Sequence, residues 1–255
     1  MDTPPAPARG ARPPAAALAE RLALPPWCVA LEVMEHTGHR ELWSGRDRRR
    51  GVDVVVKVVP PGRRAHLEAE ARALARLGPH PHVVSLSAVG TAPDGSGWLA
   101  VDRAAQGSLA DQPRPAPARA LRWASQLAEA LAHAHARGVV HGDVTPANVL
   151  LDARGQVLLG DFGAASLAAA SPEGVPAGPP GGHTPGFAAP ERRRGGPATT
   201  ASDVYGFGAT VAHLLGPGFP RAPRRARRVL RRTLADRPQR RPRAAELAGR
   251  LRAVG

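Results

Sequence analysis

The stretch HGDVTPANVLLD, His141 to Asp152, and the LLGDFGAAS that closely follows it, Leu158 to Ser166, decide how the rest of the chain is read. A bare His-x-Asp is weak evidence, because a lone aspartate is most often a surface acid. Here Asp143 and Asn148 stand five positions apart and Asp161 opens an Asp-Phe-Gly. Asn148 is also the only asparagine in 255 residues. The alphabet is narrow: of 35 Lys+Arg only Lys57 is lysine, leaving 34 arginines (35 − 1), isoleucine is absent and tyrosine occurs once. A GC-rich coding bias drains residue types with AT-rich codons wherever a substitute serves. Lone survivors such as Lys57 and Asn148 are then candidates for a chemical need, with chance as the alternative, and their surroundings must decide.

Working outward, ALRWASQLAEALAHAHARG before the stretch reads as a long amphipathic helix. DVYGFGATVAHLLG after it reads as a buried helix, apolar on most sides. Toward the N-terminus, CVALEVMEH, RELWSGR and the Val-rich VDVVVKVV read as three strands. RAHLEAEARALARLG has helical spacing, with Leu67, Ala71, Leu74 and Leu77 on one face and Gly78 as the stop. HVVSLSAVG and GWLAVD read as two further strands around the turn TAPDGSG. Residues 1–26, rich in Pro and Ala, are expected to form an arm, in which AAALAERLAL could make a short helix. The length allows one large domain or two small lobes.

The net charge of +14 would ordinarily suggest nucleic acid or an acidic surface. The basic residues cluster in RRARRVLRRTLADRPQRRPR, Arg224 to Arg243, where no aromatics interleave to stack bases. A solvated face is therefore expected there, with an anionic partner as the alternative, and nucleic acid is not expected as a partner. A single cysteine, Cys28, allows no internal disulfide framework. With no cationic-then-apolar leader and no apolar run of about 18 residues, the chain is expected to be cytoplasmic without a membrane segment. His133 and His135, two apart on a helix, face different ways and are not expected to pair on a metal.

The catalytic-loop and Asp-Phe-Gly set resembles that of the protein kinases, of the eukaryotic-like (Hanks-type) Ser/Thr kind found in bacteria. Further segments match in order from about Val29 to Leu251. VVVK resembles the strand motif Val-Ala-Ile-Lys, and EARALARL the helix whose glutamate pairs with that lysine. HTPGFAAPE resembles the Ala-Pro-Glu segment, and DRPQRRPRAAEL the closing Arg-Pro motif. The resemblance implies an α+β, two-lobed fold: a five-stranded antiparallel N-lobe with one helix (27–101), a hinge (102–107) and a mainly helical, shortened C-lobe (108–255). It implies ATP and Mg2+, or Mn2+, as cofactors, and a protein substrate. Asp143 would orient or deprotonate the acceptor hydroxyl. Asn148 and Asp161 would offer hard oxygen ligands to the metal. Lys57 would pair with phosphates and with Glu70, Glu68 being the runner-up. Thr184 sits where Ser/Thr-directed kinases keep a threonine. Leu42, Val55 and Leu150 would enclose adenine, Asp102 to Ala104 would form the hinge contact, and Val101 would guard the back pocket. His141 and Phe162 would be internal packing residues with Leu74 and Leu86. Asp203 would cap the catalytic-loop backbone, and Arg241 would pair with Glu191.

The sequence also departs from the family. The three glycine slots of the first turn fall on Glu35, Thr37 and Arg40, with only Gly38 nearby; Arg40 or His39 could partly compensate. Gly142 replaces the arginine that reads a phosphorylated activation loop, and Thr145 replaces a lysine that steadies the transferring phosphate. Two alternatives follow: a pseudokinase or weakly active ATP-binding regulator, and a small-molecule phosphotransferase of the aminoglycoside or choline type, which also favours His-Gly-Asp. The Ala-Pro-Glu and Arg-Pro segments argue against the second.

Overall fold

Strand β3 (Val52–Val59) shows why a sheet forms at this point in the chain. Val54, Val56 and Val58 are buried while Val55, Lys57 and Val59 are half-buried, a period of two that only an extended strand produces. β-branched side chains suit that pleated surface. The computed structural model describes residues 19–37, 40–167 and 184–253. They divide into two compact units, one of residues up to 67 with 87–103, the other of 68–86 with 104 onward.

The first unit holds β1 (Cys28–Thr37), β2 (Arg40–Asp47), β3, β4 (Leu86–Thr91) and β5 (Gly97–Asp102) in the order β1-β2-β3-β5-β4. The β1–β2, β2–β3 and β3–β5 pairs are antiparallel. One sheet face forms the core, where Val54, Val56 and Val58 pack with Trp43, Trp98 and Leu31. Each buried valine there contributes roughly 1.5–3 kcal/mol. The other face carries Leu42, Val55 and Lys57, since Leu42 pairs with Lys57 and alternate residues of β3 share a face.

Two boundaries differ from expectation. Leu22, expected in the N-terminal arm, is wholly buried in this core with Ala19 and Leu24 against it, so residues 19–24 belong to the core of the first unit. The strand expected from His82 begins at Leu86. Val84 instead donates to Leu159 O at 3.0 Å and Leu159 to His82 O at 2.9 Å, so His82–Ser85 spends its backbone groups in the second unit.

In the second unit, α2 (Pro117–Ala136) packs against α4 (Thr200–Leu215) and α6 (Ala244–Arg252). It starts with proline in its first turn, where no intrahelical donor is needed. Helix α1 (Arg64–Leu77) crosses the boundary between the units after Leu67. Its expected apolar face is buried: Leu67, Ala71, Leu74 and Leu77, together with Glu70. After α2 come β6 (Val139–Val140), a 3-10 turn at Pro146–Asn148, the hairpin β7 (Val149–Leu151) and β8 (Val157–Leu159), and β9 (Ser166–Leu167), which pairs with β6. Short helix α3 (Pro190–Arg193) precedes α4, and only a 3-10 segment, Gly216–Arg221, separates α4 from α5 (Arg224–Thr233), the short connection expected.

Candidate active site

The loop after β6 is held from below by a buried carboxylate. Asp203, 2 % exposed on the first turn of α4, accepts from His141 N–H (2.8 Å, Oδ2), Gly142 N–H (2.8 Å, Oδ1) and His135 Nε2–H (2.9 Å, Oδ2). A capping box between Thr199 and Ser202 fixes the helix start that presents it. At Gly206, α4 lies so close to the loop that a Cβ would meet Val144 O at 2.9 Å. Thr210 Oγ1 donates to the same oxygen at 3.3 Å.

His141 is fully buried. Its ring accepts from Asp143 N–H at Nδ1 (3.3 Å), donates from Nε2 to Gly160 O (2.9 Å) and meets Phe162 edge-on at 4.7 Å between centroids. Both residues therefore sit in the packing that joins the two stretches quoted first. Gly142 has φ 85°, and a Cβ there would meet Ala164 O at 2.6 Å. Glycine at this position is thus a backbone requirement in addition to the loss of a phosphate reader.

These contacts place Asp143. Its Oδ1 accepts from Thr184 N–H at 2.9 Å, and its Oδ2 from Thr184 Oγ1–H at 3.3 Å and Asn148 Nδ2–H at 3.2 Å. Asn148 Nδ2 also donates to Asp143 O at 2.8 Å. The amide is thereby oriented, with Oδ1 at the end turned from these donations. Asp161 is one of two described non-glycine residues with positive φ (53°, ψ 69°), a strained conformation costing about 1–3 kcal/mol that concentrates at functional positions. Gly160 N–H donates to Asn148 O at 2.9 Å, so the segments bearing Asn148 and Asp161 are joined by their backbones. Thr145 is buried, and its hydroxyl has no partner among the described residues.

Glu191 and Arg241 meet as a bidentate pair at 2.5 and 2.8 Å. Arg241 gives its remaining hydrogens to Ala201 O, Ala235 O and Asp236 O, which satisfies a side chain with no exposure. Burial pushes the Glu191 carboxyl up, but the hydrogen bonds and charge of Arg241 prevail and hold it below its ordinary range.

This is the geometry of one family, and comparison with known proteins agrees. A family model described as "Protein kinase domain" matches residues 41–235. The chain belongs to the protein kinase domain family. It is 34% identical over 192 residues to the "DNA damage-responsive serine/threonine-protein kinase RqkA" of Deinococcus radiodurans, covering 71% of this chain and 28% of that protein. It is 40% identical over 148 residues to "Serine/threonine-protein kinase PknK" of Mycobacterium tuberculosis, covering 56% and 13%. It is 35% identical over 208 residues to "Serine/threonine-protein kinase PkaB" of Streptomyces coelicolor, covering 68% and 49%. The chain thus spans about a quarter or less of the first two relatives. The family uses ATP and a divalent metal, and the fold is the two-lobed one expected, with a five-stranded sheet and a mainly helical second unit.

In the first unit, Leu42, Val55 and Lys57 share the sheet face opposite the core. The Asp102 carboxylate takes a bidentate grip from Arg50 (2.7 and 2.6 Å) and a hydrogen bond from Ser87 Oγ–H (3.0 Å). Glu35 and Arg40, on two of the missing glycine slots, pair at 3.3 Å, and β1 and β2, after two register shifts between Val29 and Glu35, stay paired up to Thr37–Arg40. Gly38 and His39 lie outside the described residues, as does most of the loop before Thr184. In the second unit Leu150 is half-buried on β7 beside Gly160, and Ala104 opens the segment after Arg103. Sequence reasoning missed the roles of His135, which completes the Asp203 cage, and of Arg50.

Among the described residues no three His, Cys, Asp or Glu side chains cluster as a metal cage. Mg2+ is usually held by one or two carboxylates completed by phosphates and water, so one aspartate with one oriented amide oxygen fits that ion.

Proposed function

We propose that the chain is the phosphotransfer domain of a Ser/Thr protein kinase, which moves the γ-phosphoryl group of ATP to a serine or threonine hydroxyl of a protein. The observation that carries the reading is the clamp on Asp143: Asn148 and Thr184 together hold its carboxylate, the Asp203 cage holds the backbone of the two residues before it, and its own N–H donates to His141 Nδ1. Asp143 orients the acceptor hydroxyl and takes its proton as the new P–O bond forms and the bond to the β-phosphate oxygen breaks. Thr184 keeps that carboxylate turned toward the acceptor. Asn148 and Asp161 hold the divalent ion, Mg2+ or Mn2+, which when bound neutralises charge on the phosphates. In the first unit Lys57 is the residue offered to the α- and β-phosphates, and Leu42, Val55 and the backbone at Asp102 are those offered to the adenine; in the second unit Glu70 is the partner the family gives that lysine, and Leu150 and Ala104 are offered to the adenine. His141, Phe162, Glu191, Asp203 and Arg241 are positioning residues. We read residues 102–107 as the hinge between lobes. No described helix is long and apolar enough to cross a membrane, and a cytoplasmic kinase is the reading this supports.

The test is labelling with radioactive Mg-ATP in the presence of a generic protein substrate and, separately, of choline or an aminoglycoside. Transfer to Ser/Thr of protein, lost in Asp143→Asn, is expected. Nucleotide binding without transfer would make the chain a regulator, and transfer only to the small molecule would place it with the other phosphotransferases.

A further inference from the structure

Helix α5, RRARRVLRRT, separates its residues by side. Ala226, Val229, Leu230 and Thr233 are buried in the second unit. Arg224, Arg225, Arg228, Arg231 and Arg232 are exposed and Arg227 is half-buried. Five of these arginines line an open groove of about 410 Å3. Among the described residues none of the six has an ion-pair partner, whereas Arg241, Arg250 and Arg252 nearby in sequence all do.

Such a ridge repels itself. Arg224 and Arg228, Arg227 and Arg231, and Arg228 and Arg232 are like charges one turn apart, and two arginines occupy the first turn, where the helix dipole favours anions. The helix forms because its other side is buried. Coding bias supplies arginine throughout the chain, but it does not explain six charges on one helix with no acid to meet them.

Charge density narrows the partner. From Arg224 to Arg232 is about 12 Å along the helix at about 1.5 Å per residue, so the ridge presents roughly one charge per 2 Å. An extended peptide, even if wholly acidic, offers at most about one carboxylate per 3.3 Å. A nucleic-acid duplex offers about one phosphate per 1.7 Å of axis counted over its two strands, and arginines spread across the exposed side of one helix can meet both strands where they flank a groove. An anionic membrane is a poorer fit, because the apolar side that an interfacial helix would insert is already buried. The absence of aromatic side chains on the ridge argues against base stacking with single strands and leaves backbone contact.

We infer that the arginine ridge of α5 is a docking surface for the phosphate backbone of a duplex nucleic acid, bound without sequence reading. The expectation drawn from the sequence was a solvated face with an anionic partner as the alternative, and it set nucleic acid aside for want of aromatics, which contact with a duplex backbone does not need.

The probe is a labelled DNA duplex of mixed sequence, about 24 base pairs, titrated with the full chain by fluorescence anisotropy across a salt series. Three variants separate the ridge from the general positive field. Arg228→Gln/Arg231→Gln/Arg232→Gln should weaken binding at least tenfold at low salt and flatten the log–log salt slope by about 3. The same triple to lysine should keep the slope, because it keeps the charges. Arg48→Gln/Arg119→Gln/Arg154→Gln, with the same loss of net charge at exposed positions elsewhere, should leave the slope nearly unchanged. Equal losses from the two glutamine triples would show a diffuse field and overturn the proposal. So would tighter, ridge-dependent binding to polyglutamate or to phosphatidylserine vesicles than to the duplex. All the changed side chains are exposed, so melting temperatures should match the parent in the lysine and control triples and stay level or rise slightly in the ridge glutamine triple, where repulsion is relieved.

Discussion

Removing Asp203 tests the account of how the catalytic loop is held. Asp203→Ala leaves the His141 and Gly142 N–H groups without their acceptor and takes the partner from His135. A buried donor left unpaired costs about 1–3 kcal/mol; His141 is fully buried and should incur most of that, while half-buried Gly142 recovers part through water. A total of about 3 kcal/mol follows, or roughly 6–12 °C in melting temperature for a chain of this size. Asp203→Asn should fall between variant and parent, since its one oxygen can satisfy one N–H while its NH2 faces another donor. Calorimetry reads the stability, and labelled-phosphate transfer reads the site. If the loop shifts by about 1 Å, transfer should fall on the order of a hundredfold. A melting temperature for Asp203→Ala within about 2 °C of the parent would refute the cage as the support of the loop.

Lys57→Arg should fold normally yet lose at least about 99% of transfer, because a longer, forked cation cannot occupy the place of a compact one; near-parental transfer would make the lone lysine an accident. Gly142→Arg, which restores the residue usual in the family, should lower the melting temperature by several degrees, given φ 85° and Ala164 O where its Cβ must go; an unchanged melt would contradict that geometry. Thr37→Gly/Arg40→Gly removes the Glu35–Arg40 pair and should tighten ATP in calorimetric titration if the hairpin's stiffness is limiting, while weaker binding would make Arg40 the phosphate contact. His80 is pushed down to about 4 by burial and by the nearby His133 and His82. Unfolded histidine titrates near about 6.5, so between those values the unfolded state holds a proton that the folded state lacks, and stability should fall as pH drops through that window. His80→Gln should flatten this slope in urea melts at pH 4–7.

The strands and helices that carry the site were legible where one periodicity ran without interruption, as in Val52–Val59 and the apolar face of α1. The candidate site was readable because Asp143, Asn148 and Asp161 lie within nineteen positions, 143 to 161, and local contacts join Asn148 to Asp143 and to Gly160, the residue before Asp161. What was not legible depended on partners distant in sequence. The segment His82–Ser85 is as apolar and β-branched as a strand, but Leu159 claims its backbone 75 residues on, a competition no local pattern records. Leu22 stands in a Pro/Ala-rich tract that reads as solvent-exposed, and only the core of the first unit shows it to be wholly buried. His135 has no signal of its own, because what gives it a role is a carboxylate 68 positions away.

Rarity needs the same discipline. Four residue types occur once in this chain, Lys57, Asn148, Cys28 and Tyr205, and a drained alphabet alone cannot rank them. Cys28 is 3 % exposed within the first core, and burial, helped by Asp47, pushes its thiol up, so it serves as a small apolar side chain. Tyr205 lies under the Arg241 guanidinium at 5.1 Å, supporting the pair with Glu191. Both are structural survivors. Asn148 differs in kind: it is half-buried, donates twice to the aspartate that faces the chemistry, and has a shape neither aspartate nor glutamine reproduces, since aspartate cannot donate and glutamine is one methylene too long. Lys57 differs again, lying on the sheet face opposite the core with Leu42 and Val55, where the 34 arginines that serve everywhere else did not replace it. Uniqueness thus marks a constraint, and the chemistry of the neighbours says which kind. At Cys28 and Tyr205 the neighbours ask for volume and a ring. At Asn148 they ask for a donor of fixed length beside Asp143, and at Lys57 our proposal is that phosphate transfer asks for a compact charge.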